Sequence, residues 1–401
     1  MTQPKSPRFA RSTDAIHAGI HKRRPHNSLA PGVAQTATYT FESTADLEQY
    51  MRGEDADPER EEYGRYGNPT VRELERRLAA LEATDDAVAF STGMAAITST
   101  LFALLNQGDH VVLFRDCYRR TRQFVTGWLG RYGVLHTVVP PGDLEAMEAA
   151  ITDKTKLVIT ESPTNPFNYC VDLTALSGKV KAKNRRTKTL VDSTFATPIN
   201  CRPHNFGIDL VVHSATKYLS GHNDVLGGLV AGPAHLTSLV REARDVTGAM
   251  LDPHAAFLIA RGMKTLGLRV RKQNESAVEL TKMLAAHPKV TAVYYAGHAG
   301  HPSYKTACEQ MDGFGGVVSF EVKGGRAAAS RVVDAAEIPS IAPSLGGVES
   351  LIEQPALMSY FEMSDEDLAK IGISGALIRY SVGVEDTEDL VRDLERALDQ
   401  A

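Results

Sequence analysis

From Thr70 onward the chain alternates two hydrophobic rhythms. Val71, Leu74, Leu78 and Leu81 recur at helical spacing behind a Pro-Thr start, which predicts an amphipathic helix over 71–81. Short apolar runs follow at 87–90, 110–114, 134–139, 156–160, 188–191 and 209–213, with helix-like segments such as 95–105 between them. Runs of that length, alternating with helices, predict an α/β protein with a mostly parallel sheet covered on both faces. Such sheets bind ligands beyond the carboxyl ends of their strands.

The rhythm differs toward both termini. Residues 1–69 are polar and turn-rich and include the acidic stretch 54–62, read as a solvated helix or loop; they predict an N-terminal arm. Past Asp252 a long helical stretch, 255–286, leads into a smaller α+β region. Strand-like runs lie there at 292–295 and 316–321, and Arg379 follows Leu377-Ile378 in another. The expected division is an arm (1–69), a large domain (70–252) and a C-terminal domain (253–401). No internal repeat or low-complexity segment interrupts it.

Composition narrows the function classes. At 401 residues the chain exceeds one simple core. Hydrophobics at 43% and charged residues at 23% suit a soluble enzyme. A formal charge of −5 supplies no basic field for nucleic acid. The local basic run 21–26 is read as part of the arm. His17, His21 and His26 lack the acidic or cysteine partners of a metal site, so no metal is expected. Cys117, Cys170, Cys201 and Cys308 are scattered without a Cys-x-x-Cys, which points to a reducing, cytoplasmic setting. The first residues lack a signal-peptide core, and no run is long and apolar enough for a membrane span.

The chemistry gathers at the predicted strand ends. Lys217 follows the run Leu210-Val-Val212 and a cluster of small hydroxyl residues, Ser214 and Thr216. Asp192 closes an earlier strand, Thr189-Leu-Val-Asp192. A lysine able to form a Schiff base and an aspartate able to pair with a pyridinium nitrogen are the minimal protein kit for pyridoxal phosphate. Ser214-Ala-Thr-Lys217 also matches the Ser-x-x-Lys of penicillin-recognising hydrolases, but their Ser-Asp-Asn and Lys-Thr-Gly elements do not occur here. A phosphate cradle is offered by Ser91-Thr-Gly93-Met94, between a strand and a helix start. Tyr118, just past another strand, is the ring-stacking candidate.

These pieces, in order, resemble the γ-subfamily of fold-type I pyridoxal-phosphate enzymes, the Cys/Met metabolism group. Its members include cystathionine γ-synthase, cystathionine γ- and β-lyases, methionine γ-lyase and O-acylhomoserine sulfhydrylases. The resemblance runs from about Ile16 to Leu398. It is carried by Tyr63-Gly-Arg65-Tyr-Gly-Asn68-Pro-Thr70, Ser91-Thr-Gly-Met94, Asp116-Cys-Tyr118, Glu161-Ser-Pro-Thr-Asn165-Pro, Asp192-Ser-Thr-Phe and Ser214-Ala-Thr-Lys217-Tyr. Gly221-His-Asn-Asp-Val225, Ser344-Leu-Gly-Gly-Val-Glu349 and Arg379-Tyr-Ser-Val-Gly-Val-Glu-Asp386 complete it.

The resemblance implies a role for each site residue. Lys217 is the lysine that binds the cofactor and later moves protons between substrate carbons. Asp192 pairs with the pyridine N–H, keeping the ring an electron sink. Tyr118 stacks on the ring and assists proton transfer. Gly93, Met94, Ser214 and Thr216 surround the phosphate, joined by Tyr63 and Arg65 from a neighbouring subunit. That makes the expected assembly a homo-oligomer, a tetramer of active-site-sharing dimers. Asn165 lies near the cofactor's phenolic oxygen and the substrate carboxylate. Arg379 clamps the substrate α-carboxylate, a task suited to the planar guanidinium, and Ser344 supports that carboxylate and the lysine.

Finer resemblances bear on the reaction. Methionine γ-lyases usually carry cysteine two residues after the stacking tyrosine; Arg120 stands there. The cluster Arg119, Arg120, Arg122 and the string Gln354-Pro-Ala-Leu-Met-Ser-Tyr360 look most like plant-type cystathionine γ-synthases, which use O-phosphohomoserine. Many γ-lyases and bacterial synthases place Glu before the serine of Ser-Leu-Gly-Gly; Pro343 occupies that position. The expectation is γ-replacement, an activated homoserine plus cysteine giving cystathionine. The alternative is γ-elimination from cystathionine or another γ-heteroatom amino acid. The expected substrates are small amino acids.

Overall fold

A computed structural model describes residues 9–19, 27–55, 57 and 60–401, the Asp365 side chain excepted. The run 21–26, with His21 and His26, lies outside the described residues, as do Ala56, Pro58 and Glu59 of the acidic stretch. Seven strands form one sheet: β1 (Asp86–Phe90), β2 (His110–Phe114), β3 (Leu135–Val139), β4 (Thr155–Glu161), β5 (Lys188–Asp192), β6 (Leu210–Ser214) and β7 (Gly228–Gly232). Their spatial order is β1-β7-β6-β5-β4-β2-β3. β7 runs antiparallel to both neighbours, and the β3, β2, β4, β5 and β6 pairings are parallel. The mostly parallel sheet is therefore as expected. Its central strands are buried over most of their length, which is why their centres read as apolar runs.

β7 was absent from the sequence-based expectation, as was the helix Ala234–Thr247 behind it. Gly228 and Gly232 frame the strand, and glycine obscures a strand pattern. The first glycine has a spatial reason. Gly228 pairs with Phe90 on one side and Ser214 on the other. A Cβ there would lie 2.1 Å from the Thr92 carbonyl oxygen. Glycine thus lets the turn after β1 close down over the start of β7.

The stretch expected as one helix over 255–286 is two, Pro253–Met263 and Leu266–Ala286, separated at Lys264-Thr265. Gly262 sits there against the Ser220 carbonyl, which a Cβ would approach to 2.0 Å. The second helix packs on a five-stranded sheet of order β10-β11-β12-β9-β8. Its strands are β8 (Val290–Tyr294), β9 (Val317–Val322), β10 (Ser340–Ile341), β11 (Leu351–Glu353) and β12 (Leu377–Ser381). The sequence-based reading contained neither β10 nor β11, which are too short to show a period. Among the described residues no helix is long and apolar enough to cross a membrane.

Candidate active site

A cavity of about 430 Å³ opens at the carboxyl ends of β1, β4, β5 and β6 and is closed by the loop before β11 and by β12. Gly93, Met94, Tyr118, Asn165, Asp192, Ser214, Thr216, Lys217, Ser344 and Arg379 all line it. Tyr63 and Arg65 do not. Arg65 donates to the Asp245 carbonyl at 2.6 Å and stacks over Tyr66, while Tyr63 is 43% exposed.

One end is a cradle. Thr92 caps the helix Gly93–Leu104 by accepting the Ala95 N–H at 2.9 Å. The first-turn N–H groups of Gly93 and Met94 have no intrahelical acceptor, and the positive end of the helix faces the cavity. A Cβ on Gly93 would lie 2.9 Å from the Ser214 Cβ, so glycine brings the helix start against the Ser214 hydroxyl. This is an oxyanion-sized nest of backbone donors and hydroxyls.

The floor holds two acids. Glu161 and Asp192 are directly opposed at the ends of β4 and β5. Asp192 Oδ1 accepts from the Thr194 N–H (3.0 Å) and hydroxyl (2.6 Å), and Thr194 Oγ1 in turn accepts the Ser214 N–H at 2.9 Å. Burial pushes the Asp192 carboxyl above its ordinary range, against Thr194 and His213. Burial and the Asp192 charge push Glu161 further up. Glu161 accepts the Tyr118 N–H at 2.8 Å and the Asn165 N–H at 3.2 Å, fixing two site loops with one carboxyl. The sequence reading placed Thr92 only as part of the cradle string and assigned no role to Glu161 or Thr194. These two stand within quoted strings, but their function depends on partners from other segments, Tyr118 for Glu161 and Ser214 for Thr194.

The third wall is cationic. Lys217 Nζ donates to Ser344 Oγ at 2.6 Å. Burial and then Arg379 bring its pKa down to about 8, with Glu353 opposing. Arg379 Nη2 donates to the Ser344 carbonyl at 2.8 Å and Nη1 to Asn165 Oδ1 at 3.2 Å. Ser344 serves both cations because its backbone is held at φ 91°, a left-handed conformation costing a non-glycine residue about 1–3 kcal/mol. The basic cluster is elsewhere. Arg120 pairs with Gln123, Arg119 stands 4.0 Å from Glu362, and neither lines this cavity. Arg122 lines an adjoining cavity of about 480 Å³ that shares Asn165.

A cradle for an anion, an acid without a cationic ligand, an aromatic side chain lining the same cavity, and a lysine of lowered basicity define a pyridoxal-phosphate enzyme built on an α/β sheet. The model of the Cys/Met metabolism PLP-dependent enzyme family matches residues 12–399, and the chain belongs to that family. It is similar to cystathionine gamma-synthase 1, chloroplastic, of Nicotiana tabacum, 46% identical over 96% of this chain and 71% of the relative. It is also similar to L-methionine gamma-lyase of Pseudomonas putida, 42% identical over 98% of both chains. A crystal structure of metB from Corynebacterium glutamicum superposes with a TM-score of 0.90 at 35% identity, covering 98% of each chain.

The family's cofactor is pyridoxal 5'-phosphate, and the residues present fit it. Asp192, half-buried on the cavity floor, lacks the positive charge that a protonated ring nitrogen supplies. The cradle lacks the anion that a phosphate supplies. Among the described residues no group of three or more His, Cys, Asp or Glu side chains is arranged to hold a metal ion.

Proposed function

We propose that this enzyme catalyses γ-replacement, joining an activated homoserine to cysteine to form cystathionine. The observation that carries the reading is the distal wall of the cavity. Pro343 stands there beside Leu226 and Leu345, with no carboxylate at that position to hold a second amino group. An activated homoserine, the first substrate to bind in replacement, carries no ammonium at its far end and needs no such partner, whereas cystathionine bound for cleavage would lose it. The plant synthase likeness supports the same reading.

Each step falls to a residue of this chain. Arg379, steadied by Asn165 and the Ser344 carbonyl, binds the substrate α-carboxylate and orients the Cα–H bond. Lys217, Asp192 and the cradle would hold pyridoxal phosphate, which would supply an electron sink for carbon–hydrogen cleavage. With the cofactor bound to substrate, Lys217 Nζ would take and return protons; with a pKa of about 8 it is partly neutral near that pH, as a base must be. Ser344 Oγ holds that nitrogen between proton positions. Tyr118, anchored through its N–H to Glu161, would cover the cofactor ring. We further infer that Tyr63 and Arg65, which lie outside the cavity, complete the phosphate site of a neighbouring subunit. We also propose the division 1–69, 70–252 and 253–401.

Elimination is the second reading, favoured by the methionine γ-lyase likeness over both full chains. One assay separates the two: O-phospho-, O-acetyl- and O-succinylhomoserine, each with and without cysteine. Cystathionine formed at the expense of 2-oxobutanoate when cysteine is present supports replacement. Undiminished 2-oxobutanoate with no cystathionine overturns it.

A further inference from the structure

Glu353 is a buried acid that the steps above do not use. It ends β11 directly opposite Arg379 on β12. Its Oε1 lies 3.0 Å from Arg379 Nη2, with the two side chains 2% and 5% exposed. Yet neither Glu353 oxygen accepts a well-directed hydrogen bond, and Arg379 Nε is also buried without a partner. The guanidinium therefore has one unused edge and one loosely held anion. A substrate carboxylate on this guanidinium would stand beside Glu353. Two buried carboxylates on one cation do not both stay ionised; they share a proton, as closely spaced acids do.

The surroundings leave Glu353 as the group that yields. From β12 it faces Arg379, and from the turn after β6 it faces Lys217. The adjoining β10, Ser340–Ile341, carries no titratable side chain. Tyr218 and Tyr360 stand near Arg379, and burial pushes both phenols up, so they stay neutral. Burial likewise pushes Glu353 above its ordinary range, against Arg379 and Lys217. When Lys217 is engaged by the cofactor, Arg379 is left as the cation facing it.

We propose that Glu353 is an exchangeable counter-ion: it pairs with Arg379 in the free pocket and takes up one solvent proton when a substrate carboxylate occupies the guanidinium. The balance is simple. A carboxylate becomes a carboxylic acid, Arg379 keeps its charge, and no bond to carbon changes. Glu353 is thus a positioning residue, holding the guanidinium in place between turnovers and coupling carboxylate binding to pH. The inference rests on Arg379 being the α-carboxylate ligand.

The test uses the cofactor-loaded enzyme and butanoate, a carboxylate without an amine, so that no substrate ammonium titrates. Its inhibition constant is measured against pH, and calorimetry in two buffers of different ionisation enthalpy counts protons. Wild type should take up a proton on binding, up to one per butanoate. Its affinity should fall by as much as about ten-fold per pH unit through the titration of Glu353. Glu353→Gln should abolish the uptake, flatten the profile and bind more tightly on the alkaline side. Glu353→Asp should keep the uptake. A merely structural Glu353 predicts the opposite: Glu353→Gln weakens binding evenly at all pH and the uptake persists, which overturns the proposal. Should Glu353→Gln fail to fold, the wild-type proton count decides alone, and zero uptake overturns it. Butanoate binding indifferent to Arg379→Lys would remove the carboxylate reading and this inference together. Sensitivity to Arg379→Lys without proton uptake removes only the inference.

Discussion

Two clusters of buried carboxylates in this molecule have opposite fates. Glu75, on the helix Pro69–Glu82, is 2% exposed and accepts from Arg241 (2.7 Å), Arg244 (3.0 Å), Arg72 (3.2 Å) and the Ala89 N–H (2.9 Å). Burial alone would raise its pKa, but the three arginines outweigh it and hold the carboxyl below the usual range. Glu161 is as deeply buried, Asp192 sits beside it half-buried on the cavity floor, and neither has an arginine or lysine ligand; both are pushed up. The first cluster is electrically complete and ties the first long helix and the helix Ala234–Thr247 to β1. The second is short of positive charge, and that deficit marks it as a receptor for a cationic ring rather than a brace.

The comparison is broken most sharply by reciprocal substitutions. Asp192→Asn should cut turnover by roughly 10²–10³-fold, the scale of a lost electrostatic contact at the reacting group, while the apoenzyme unfolds at an unchanged or higher denaturant concentration. Glu75→Ala should do the reverse. Removing one partner of a buried ion network costs about 3–5 kcal/mol, read as an earlier unfolding midpoint, with kcat per folded site unchanged. If Glu75→Ala lost activity without losing stability, the two clusters would not be distinct in kind.

The pH dependence of apoenzyme stability sharpens the same contrast. Glu75 has a depressed folded pKa. Its stabilisation is present above its unfolded value, about 4.3, and is lost as pH falls through the folded value. Asp192 and Glu161 have raised folded pKa values. Their favourable contribution is present below the unfolded values of about 3.9 and 4.3 and is lost as pH rises through the folded ones. Glu75→Gln should therefore flatten the acid limb of the stability profile, and Asp192→Asn the limb above it. Adding pyridoxal phosphate should restore stability on that upper limb in wild type and not in Asp192→Asn. An upper limb in Asp192→Asn as steep as in wild type would remove the charge-deficit argument.

How much of this was legible beforehand follows from what each feature depends on. β2, β4, β5 and β6 were readable because each has a buried apolar centre, Val111–Leu113, Leu157–Ile159, Leu190–Val191 and Leu210–Val212. β7 was not, since its glycines answer to Thr92 and Leu210 across the sheet rather than to a local pattern. Lys217, Asp192 and Tyr118 each follow a readable strand, so their convergence at one edge could be anticipated from topology. Glu353 could not, because its importance lies in a register: three residues of β11 set it opposite Arg379. Glu75 also reads from sequence as one more polar position of an amphipathic helix. Only packing against Arg241 and Arg244, more than 160 positions away, makes it a hub.

A smaller effect tests the cationic wall. Arg379→Lys turns a forked contact into a point charge, a loss of roughly 1.5–3 kcal/mol for a charge-assisted pair. The substrate KM should rise about ten- to a hundred-fold, with cofactor retention unchanged. Unlike Arg72 and Arg244 beside Glu75, whose Nε groups donate to Glu61 and Asp245, Arg379 leaves its buried Nε unpartnered, so the deficit should appear in substrate binding rather than in the unfolding midpoint. Equal KM values would assign the carboxylate to another residue.

The smallest expected effect concerns Arg119, Arg120 and Arg122, which the plant-type likeness connects with an anionic group on the substrate. Geometry separates them. Arg120 is engaged by Gln123 at the surface, and Arg119 only approaches the exposed Glu362. Arg122 bonds to the Arg115 carbonyl and lines the adjoining cavity with Arg115, Asp116 and Lys370. Each is replaced by Gln, and kcat/KM for O-phosphohomoserine is divided by that for O-acetylhomoserine. The ratio should stay flat for Arg119 and Arg120, whose fields are screened by water and salt. For Arg122 it should fall about two- to five-fold, the 0.5–1 kcal/mol of a partly exposed charge contact, and the fall should shrink at high salt. A flat ratio in all three variants would detach the phosphorylated substrate from this chain's cations. Elimination from an uncharged γ-substituent would then be the better account of a cavity whose remaining arginine is proposed for the α-carboxylate.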